Sequence, residues 1–166
     1  IYKYDIRSGK VDMYKKADVK FDASKYTMKQ VFYESKDGTK IPMFIVHKKG
    51  LELNGKTPTW LYAYGGCNIS MPANFSSSRI MWLENGGVYA QPNLRGGGEY
   101  GEKWHLAGTK MNKQNVFDDF CAGIDFLVSK RYTSYNKVAI HGRSNGGLLI
   151  GAVMTQRPDI CKVALP

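Results

Sequence analysis

The sequence predicts an α/β protein, a sheet with helices packed on its faces. Three observations carry this. Strand-like and helix-like patterns alternate from about residue 59 to the end of the 166-residue chain. Two hairpin patterns come before them. Near the end, a strand pattern runs through one tight turn into an apolar helix pattern.

The elements follow in order. Residues 1–16 read as a hairpin: Tyr2, Tyr4 and Ile6 alternate, Ser8-Gly9 turns, and Val11, Met13 and Tyr14 return. Residues 17–27 are polar and irregular and read as a linker. A second hairpin runs from Lys29 to Tyr33 and from Ile41 to His47. Its turn holds Asp37-Gly38, the strongest short hairpin signal. Residues 59–64 form a strand closed by Gly65-Gly66, residues 77–85 a helix burying Ile80, Met81, Leu83 and Trp82, and residues 87–93 a strand. Residues 115–130 form a helix, with Phe117, Phe120, Ile124, Leu127 and Val128 on one stripe. Asp118 and Asp119 read as charges answering its N-terminal dipole. Residues 137–141 form a strand, 147–154 a buried helix and 161–166 a last strand.

The turn between residues 141 and 147 carries the chemistry. Gly142-Arg143-Ser144-Asn145-Gly146 is a G-x-S-x-G pentapeptide between a strand and a helix. That context makes it a nucleophile elbow and the fold an α/β-hydrolase. The strained turn presents the Ser144 hydroxyl at the sheet's carboxyl end, beside free N–H groups of a helix start. Gly142 and Gly146 allow the close approach. A glycine-rich turn that merely contains a serine lacks the flanking strand and helix. In such a fold the N–H after the nucleophile, here that of Asn145, is one oxyanion donor. The loop at Tyr64-Gly65-Gly66 supplies the other, from the Tyr64 hydroxyl or a glycine N–H. On its own, Gly65-Gly66 would be no more than a tight turn.

Other features narrow the function. A net charge of +10 raises the possibility of nucleic acid. More than half of the Lys and Arg residues lie in the first sixty positions, scattered among apolar residues, with no basic block. They read as a solvated face, so no nucleic-acid partner is expected. No run of eighteen apolar residues exists, so no membrane partner is expected. The three cysteines, Cys67, Cys121 and Cys161, lack C-x-x-C spacing, which excludes zinc-ribbon and thioredoxin chemistry. Their odd number favours a reducing, cytoplasmic setting over a periplasmic one. No metal or other cofactor is expected. Gly96-Gly97-Gly98-Glu99-Tyr100-Gly101 matches G-x-G-x-x-G, but no amphipathic helix follows, as dinucleotide binding requires. Arg95 suggests an anchored loop instead. His47, His105 and His141 all precede Ser144, whereas the base of such a triad follows the serine. The chain therefore supplies the nucleophile and oxyanion donors but not the base.

Four motifs in order resemble the prolyl oligopeptidase family of serine peptidases. They are Tyr64-Gly-Gly-Cys-Asn-Ile-Ser, the run from Asn93 to His105, Asn112-Lys-Gln-Asn-Val-Phe-Asp-Asp-Phe, and Gly142-Arg-Ser-Asn-Gly-Gly-Leu-Leu. The resemblance covers residues 28–166 and implies the N-terminal part of an α/β-hydrolase catalytic domain. Residues 1–16 then resemble the tail of a β-propeller's last blade, and 17–27 the linker. It implies a monomer that cleaves short peptides after proline through an acyl-enzyme on Ser144. Tyr64 and Asn145 would form the oxyanion hole. Cys67 would line the pocket for the residue before the cleaved bond, where relatives often carry an aromatic. Arg143 stands where many members have glycine, a change that bears on loop packing. Asn145 favours the prolyl branch over the branch that cleaves after basic residues. An elbow alone would also suit an esterase, and without a base the same fold would be a catalytically silent binding module. Both ends read as cuts in a longer protein, with the family's proline-stacking Trp and catalytic Asp and His beyond Pro166. The 166 residues alone are then expected to be nearly inactive, since a missing base costs on the order of 10⁶ in rate.

Overall fold

The computed structural model describes residues 1–16 and 19–166. Among these, two sheets form. The small one pairs β1 (Tyr2–Tyr4) with β2 (Val11–Met13), antiparallel, with Tyr2 opposite Met13 and Tyr4 opposite Val11. Its turn is held by Asp5, whose carboxylate accepts the Arg7 and Ser8 N–H groups at 3.0 and 2.7 Å. Gly9 there adopts φ +69°.

The large sheet contains β3 (Tyr26–Glu34), β4 (Lys40–Lys48), β5 (Thr59–Tyr62), β6 (Val88–Pro92), β7 (Val138–His141) and β8 (Val163–Leu165). Their spatial order is β3-β4-β6-β5-β7-β8. β3, β4 and β6 are antiparallel neighbours, and β6, β5, β7 and β8 run parallel. The helices α1 (Ser77–Glu84), α2 (Glu102–Leu106), α3 (Gln114–Ser129) and α4 (Asn145–Gln156) lie in the connections.

Strand side chains alternate between two cores, as the two-residue period requires. Ile41, Met43, Ile45, Leu61, Val88, Ala90, Val138 and Ile140 pack with Phe120, Ile124 and Leu127 of α3 and Leu149, Ile150 and Val153 of α4. Tyr26, Tyr89, Val46, Trp60 and Tyr62 pack with Leu83 and Trp82 of α1 on the opposite face. Helices thus cover both faces. Among the described residues, no helix is long and apolar enough to cross a membrane.

Several expectations are corrected. β3 begins at Tyr26, a buried residue, so the irregular stretch is shorter than residues 17–27. Residues 17 and 18 of that stretch lie outside the described residues. A 3₁₀ turn at Ala23–Lys25, with the Asp22 carboxylate accepting the Ser24 N–H, leads into the strand. Met81 is 70% exposed; Trp82 takes the inward place, its ring N–H donating to the Val88 carbonyl at 2.7 Å. The helix carrying residues 147–154 is buried on one side only: Leu148 is 57% exposed and Met154 42%. Cys121 and Cys161 are half-buried at the core's margin, and burial pushes the Cys121 thiol up to about 11.

Asp119 departs furthest from its expected place. It lies within α3 and is fully buried, so it does not answer the helix dipole from the surface. Its partner is Arg95, also buried, which donates from Nη2 to Oδ1 at 2.6 Å and from Nε to Oδ2 at 3.0 Å. The Arg95 N–H and the Ser35 hydroxyl donate to the same carboxylate. Arg95 reaches on to Asp37 in the β3–β4 turn. One forked guanidinium thereby ties the second hairpin, the loop after β6 and α3 together.

Removing one partner of such a buried pair leaves the other charge uncompensated, at a cost of about 3–5 kcal/mol. Arg95→Met is therefore expected to lower the urea midpoint of unfolding strongly, and adding Asp119→Leu to recover much of the loss. An unchanged midpoint in the single variant would show that the Asp119 carboxylate does not depend on Arg95 for compensation. A second expectation concerns acid. Hydrogen bonding from Arg95 holds the Asp37 carboxyl at about 2, below its ordinary 3.8. Between those values the unfolded chain binds more protons than the folded one. The stabilisation is thus complete above roughly pH 4 and is lost as pH falls through about 2. Asp37→Asn should flatten stability across that window; an unaltered acid limb would contradict the assignment.

Candidate active site

β5 and β7 are parallel neighbours, with Leu61 opposite Ile140 and Tyr62 opposite His141. Their carboxyl ends therefore finish side by side. The chain leaving β7 turns sharply, and Ser144 adopts φ +56°, ψ −118° before α4 begins at Asn145. This conformation costs a non-glycine residue on the order of 1–3 kcal/mol, so neighbouring contacts must impose it. They do so through glycine. A Cβ on Gly142 would come within 2.9 Å of the Gly146 Cα, and one on Gly146 would lie 2.6 Å from the Ala63 carbonyl oxygen. The turn closes with the Gly146 N–H donating to the Arg143 carbonyl and the Gly147 N–H to the Ser144 carbonyl, both at 2.8 Å. Ser144 is left exposed, and the Asn145 N–H donates to no protein group among the described residues.

The chain leaving β5 meets this elbow. Gly65 takes φ +61° and is packed against Leu94 and Val116, where a Cβ would clash. Cys67 and Asn68 also lie in the left-handed region, at φ 53° and 56°. The Asn145 side chain crosses to this loop, donating from Nδ2 to the Tyr64 carbonyl at 2.7 Å. Gly66 leaves the space that the Asn145 amide fills. The Tyr64 hydroxyl stands beside Cys67 and Ser144. Its pKa is raised, chiefly by hydrogen bonding with the Cys67 thiol and then by burial, while hydrogen bonding with Ser144 pulls the other way. The phenol therefore stays protonated at neutral pH and keeps a proton to donate.

The glycine-rich run is a prop for this loop. A Cβ on Gly96 would lie 2.8 Å from the Gly65 carbonyl oxygen, and one on Gly98 2.5 Å from that of Asn68. The glycines admit protein backbone at that distance, and the five-residue α2 follows them. Glu99 holds the far side, accepting the Met71 N–H and the Asn93 amide, each at 2.9 Å.

None of the histidines pairs with Ser144 among the described residues. His47 is buried in β4. His105 lies on α2, and its Nδ1 contacts the Gly96 carbonyl at 2.8 Å. His141 stacks on Trp60 and packs edge-on to Tyr62. Burial, then the Arg143 charge, lowers its pKa. Arg143 itself points to solvent.

The structure thus brings together Ser144, Asn145, Tyr64 and Cys67 and keeps the histidines apart from Ser144. It adds Lys113, to which the sequence pattern assigns no role. Lys113 is half-buried just before α3 and donates to the Gly65 carbonyl at 2.8 Å and the Asn145 Oδ1 at 3.3 Å. It lies inside the Asn112-Lys-Gln-Asn motif, but a lysine at a helix start gives no hint of its target. An exposed serine hydroxyl followed in the chain by an unsatisfied N–H and interacting with a protonated phenol has the groups that nucleophilic acyl transfer needs.

A strand–elbow–helix unit at the carboxyl end of a mixed sheet, facing a second strand-end loop, defines the α/β-hydrolase class. Within it, this chain belongs to the prolyl oligopeptidase family, whose model matches residues 73–166. A prolyl endopeptidase of Elizabethkingia meningoseptica is 58% identical over 166 residues, all of this chain and 24% of that protein. The chain superposes with a TM-score of 0.94 and 55% identity on one of two prolyl endopeptidases analysed for inter-domain dynamics, covering 98% of this chain and 24% of that one. The same score, at 38% identity and the same coverage, relates it to a post-proline cleaving enzyme from Rickettsia typhi. The chain spans about a quarter of the length of the curated relatives it matches.

Proposed function

We propose that the protein carrying this chain is a serine endopeptidase that cleaves short peptides on the carboxyl side of proline. The observation that carries the proposal is the forced φ of Ser144 beside the free Asn145 N–H, with the Tyr64 hydroxyl interacting with the same serine. Ser144 Oγ attacks the carbonyl carbon of the scissile bond and gives its proton to a base. The carbonyl oxygen becomes an oxyanion held by the Asn145 N–H and the Tyr64 O–H. The C–N bond then breaks, and the amine leaves with the proton. Water hydrolyses the acyl-enzyme by the reverse sequence, releasing the peptide that ends in proline.

Cys67 lines the pocket for the residue before the cleaved bond. The proton acceptor and the group that orients it come from residues outside these 166, since His47, His105 and His141 are engaged elsewhere. The separate pairing of β1 with β2 supports reading residues 1–16 as the end of a propeller blade and residues 28–166 as part of the catalytic domain, whose first strand reaches back to Tyr26. A monomer acting on peptides, without metal or other cofactor, fits this assignment.

The test is amide cleavage by the full-length protein. Cleavage after proline is expected to exceed cleavage after arginine, and Ser144→Ala to abolish it. Tyr64→Phe should lower kcat by about 10²–10³ with little change in KM, as for loss of one oxyanion donor. Turnover surviving Ser144→Ala would overturn the proposal; a preference for arginine would move the enzyme to the basic-residue branch.

A further inference from the structure

Lys113 is an unusual residue to find at this point of the fold. It directly precedes α3, where a helix dipole disfavours a cation. It is half-buried, and among the described residues no carboxylate pairs with it. Its ammonium is spent instead on two neutral oxygens, the Gly65 carbonyl at 2.8 Å and the Asn145 Oδ1 at 3.3 Å. Those acceptors belong to the two loops on which the oxyanion donors sit. Gly65 follows Tyr64 directly. Asn145 carries the free N–H, and its own Nδ2 returns to the Tyr64 carbonyl at 2.7 Å. A closed path therefore runs from Tyr64 and Gly65 through Lys113 to Asn145 and back to Tyr64.

We propose that Lys113 is a positioning residue for the oxyanion hole, its ammonium clamping the loop after β5 to the elbow after β7. The inference rests on the acyl-transfer reading of Ser144. The clamp acts in two ways. It fixes the separation between the Tyr64 hydroxyl and the Asn145 N–H, so both donors are set before charge develops. It also leaves a cation without a carboxylate partner on the two loops that carry the oxyanion donors. Both favour the transition state over bound substrate, so their loss appears in kcat rather than in KM. A residue needed only for folding would instead reduce the amount of active enzyme.

The experiment uses the full-length protein and a proline-amide substrate, with active sites counted by titration. Lys113→Met, which keeps the unbranched stem and removes charge and donors, is expected to lower kcat per active site about tenfold to a hundredfold. KM should change by less than about threefold. Binding of a peptide aldehyde ending in proline, which mimics the tetrahedral adduct, should weaken by the same factor as kcat. Lys113→Arg should restore part of the loss. Asn145→Ala keeps the backbone N–H while cutting the same path. Combined with Lys113→Met, it should cost little more than the worse single variant. If Lys113→Met fails to fold, Lys113→Arg and Asn145→Ala carry the same kcat-against-KM comparison. Wild-type kcat per active site in Lys113→Met, or fully additive losses in the double variant, would overturn the clamp. Activity that survives Ser144→Ala would instead overturn the acyl-transfer reading beneath it.

Discussion

The approach of two strand ends, backbone against backbone, is the constraint on which the site depends. β5 and β7 are parallel and adjacent, so their outgoing loops must share one small volume. Only glycine permits the sharing. Gly146 sits where any Cβ would meet the Ala63 carbonyl, and Gly142 where one would meet Gly146 itself. Forced together in this way, the loops push Ser144 to positive φ and leave the Asn145 N–H without a protein partner among the described residues. Strain at the serine is thus a product of packing, and it is also what exposes the hydroxyl.

A second tier holds the first in place. The loop at residues 65–70 rests on the glycines at 96–98, which accept its backbone at distances that exclude a side chain. That glycine run would drift without an anchor, and Arg95 supplies one through Asp119 and Asp37. Buried ion pairs contribute little net stability compared with apolar replacements, yet they fix geometry because a broken pair is costly. The Arg95–Asp119 pair therefore serves placement: it sets where the loop after β6 lies against the hairpin and α3. Lys113 performs a related task one layer nearer to Ser144.

Much of this is legible in the sequence because the signals are local. The alternation around Asp37-Gly38, the stripe of α3 and the strand–turn–helix pattern around Ser144 each depend on a few adjacent residues. The glycine run reads as an anchored loop because no amphipathic helix follows it, and Arg95 is indeed its anchor. What fails is non-local. Asp119 resembles an answer to the helix dipole because its partner lies 24 positions away. Lys113 passes without a role because its acceptors lie 48 and 32 positions away. Met81 turns outward while its neighbour Trp82 packs inward, because a helical pattern cannot tell which of two adjacent apolar residues has a carbonyl waiting beneath it.

The most direct measurement is a crystal structure of the full-length protein soaked with a peptide aldehyde ending in proline. The expected result is a covalent adduct on Ser144 Oγ. Its oxygen should lie within about 2.7–3.1 Å of both the Asn145 N and the Tyr64 hydroxyl. An adduct on another residue, or one on Ser144 whose oxygen points to solvent away from both donors, would contradict the central claim that the two strand-end loops form a single oxyanion site.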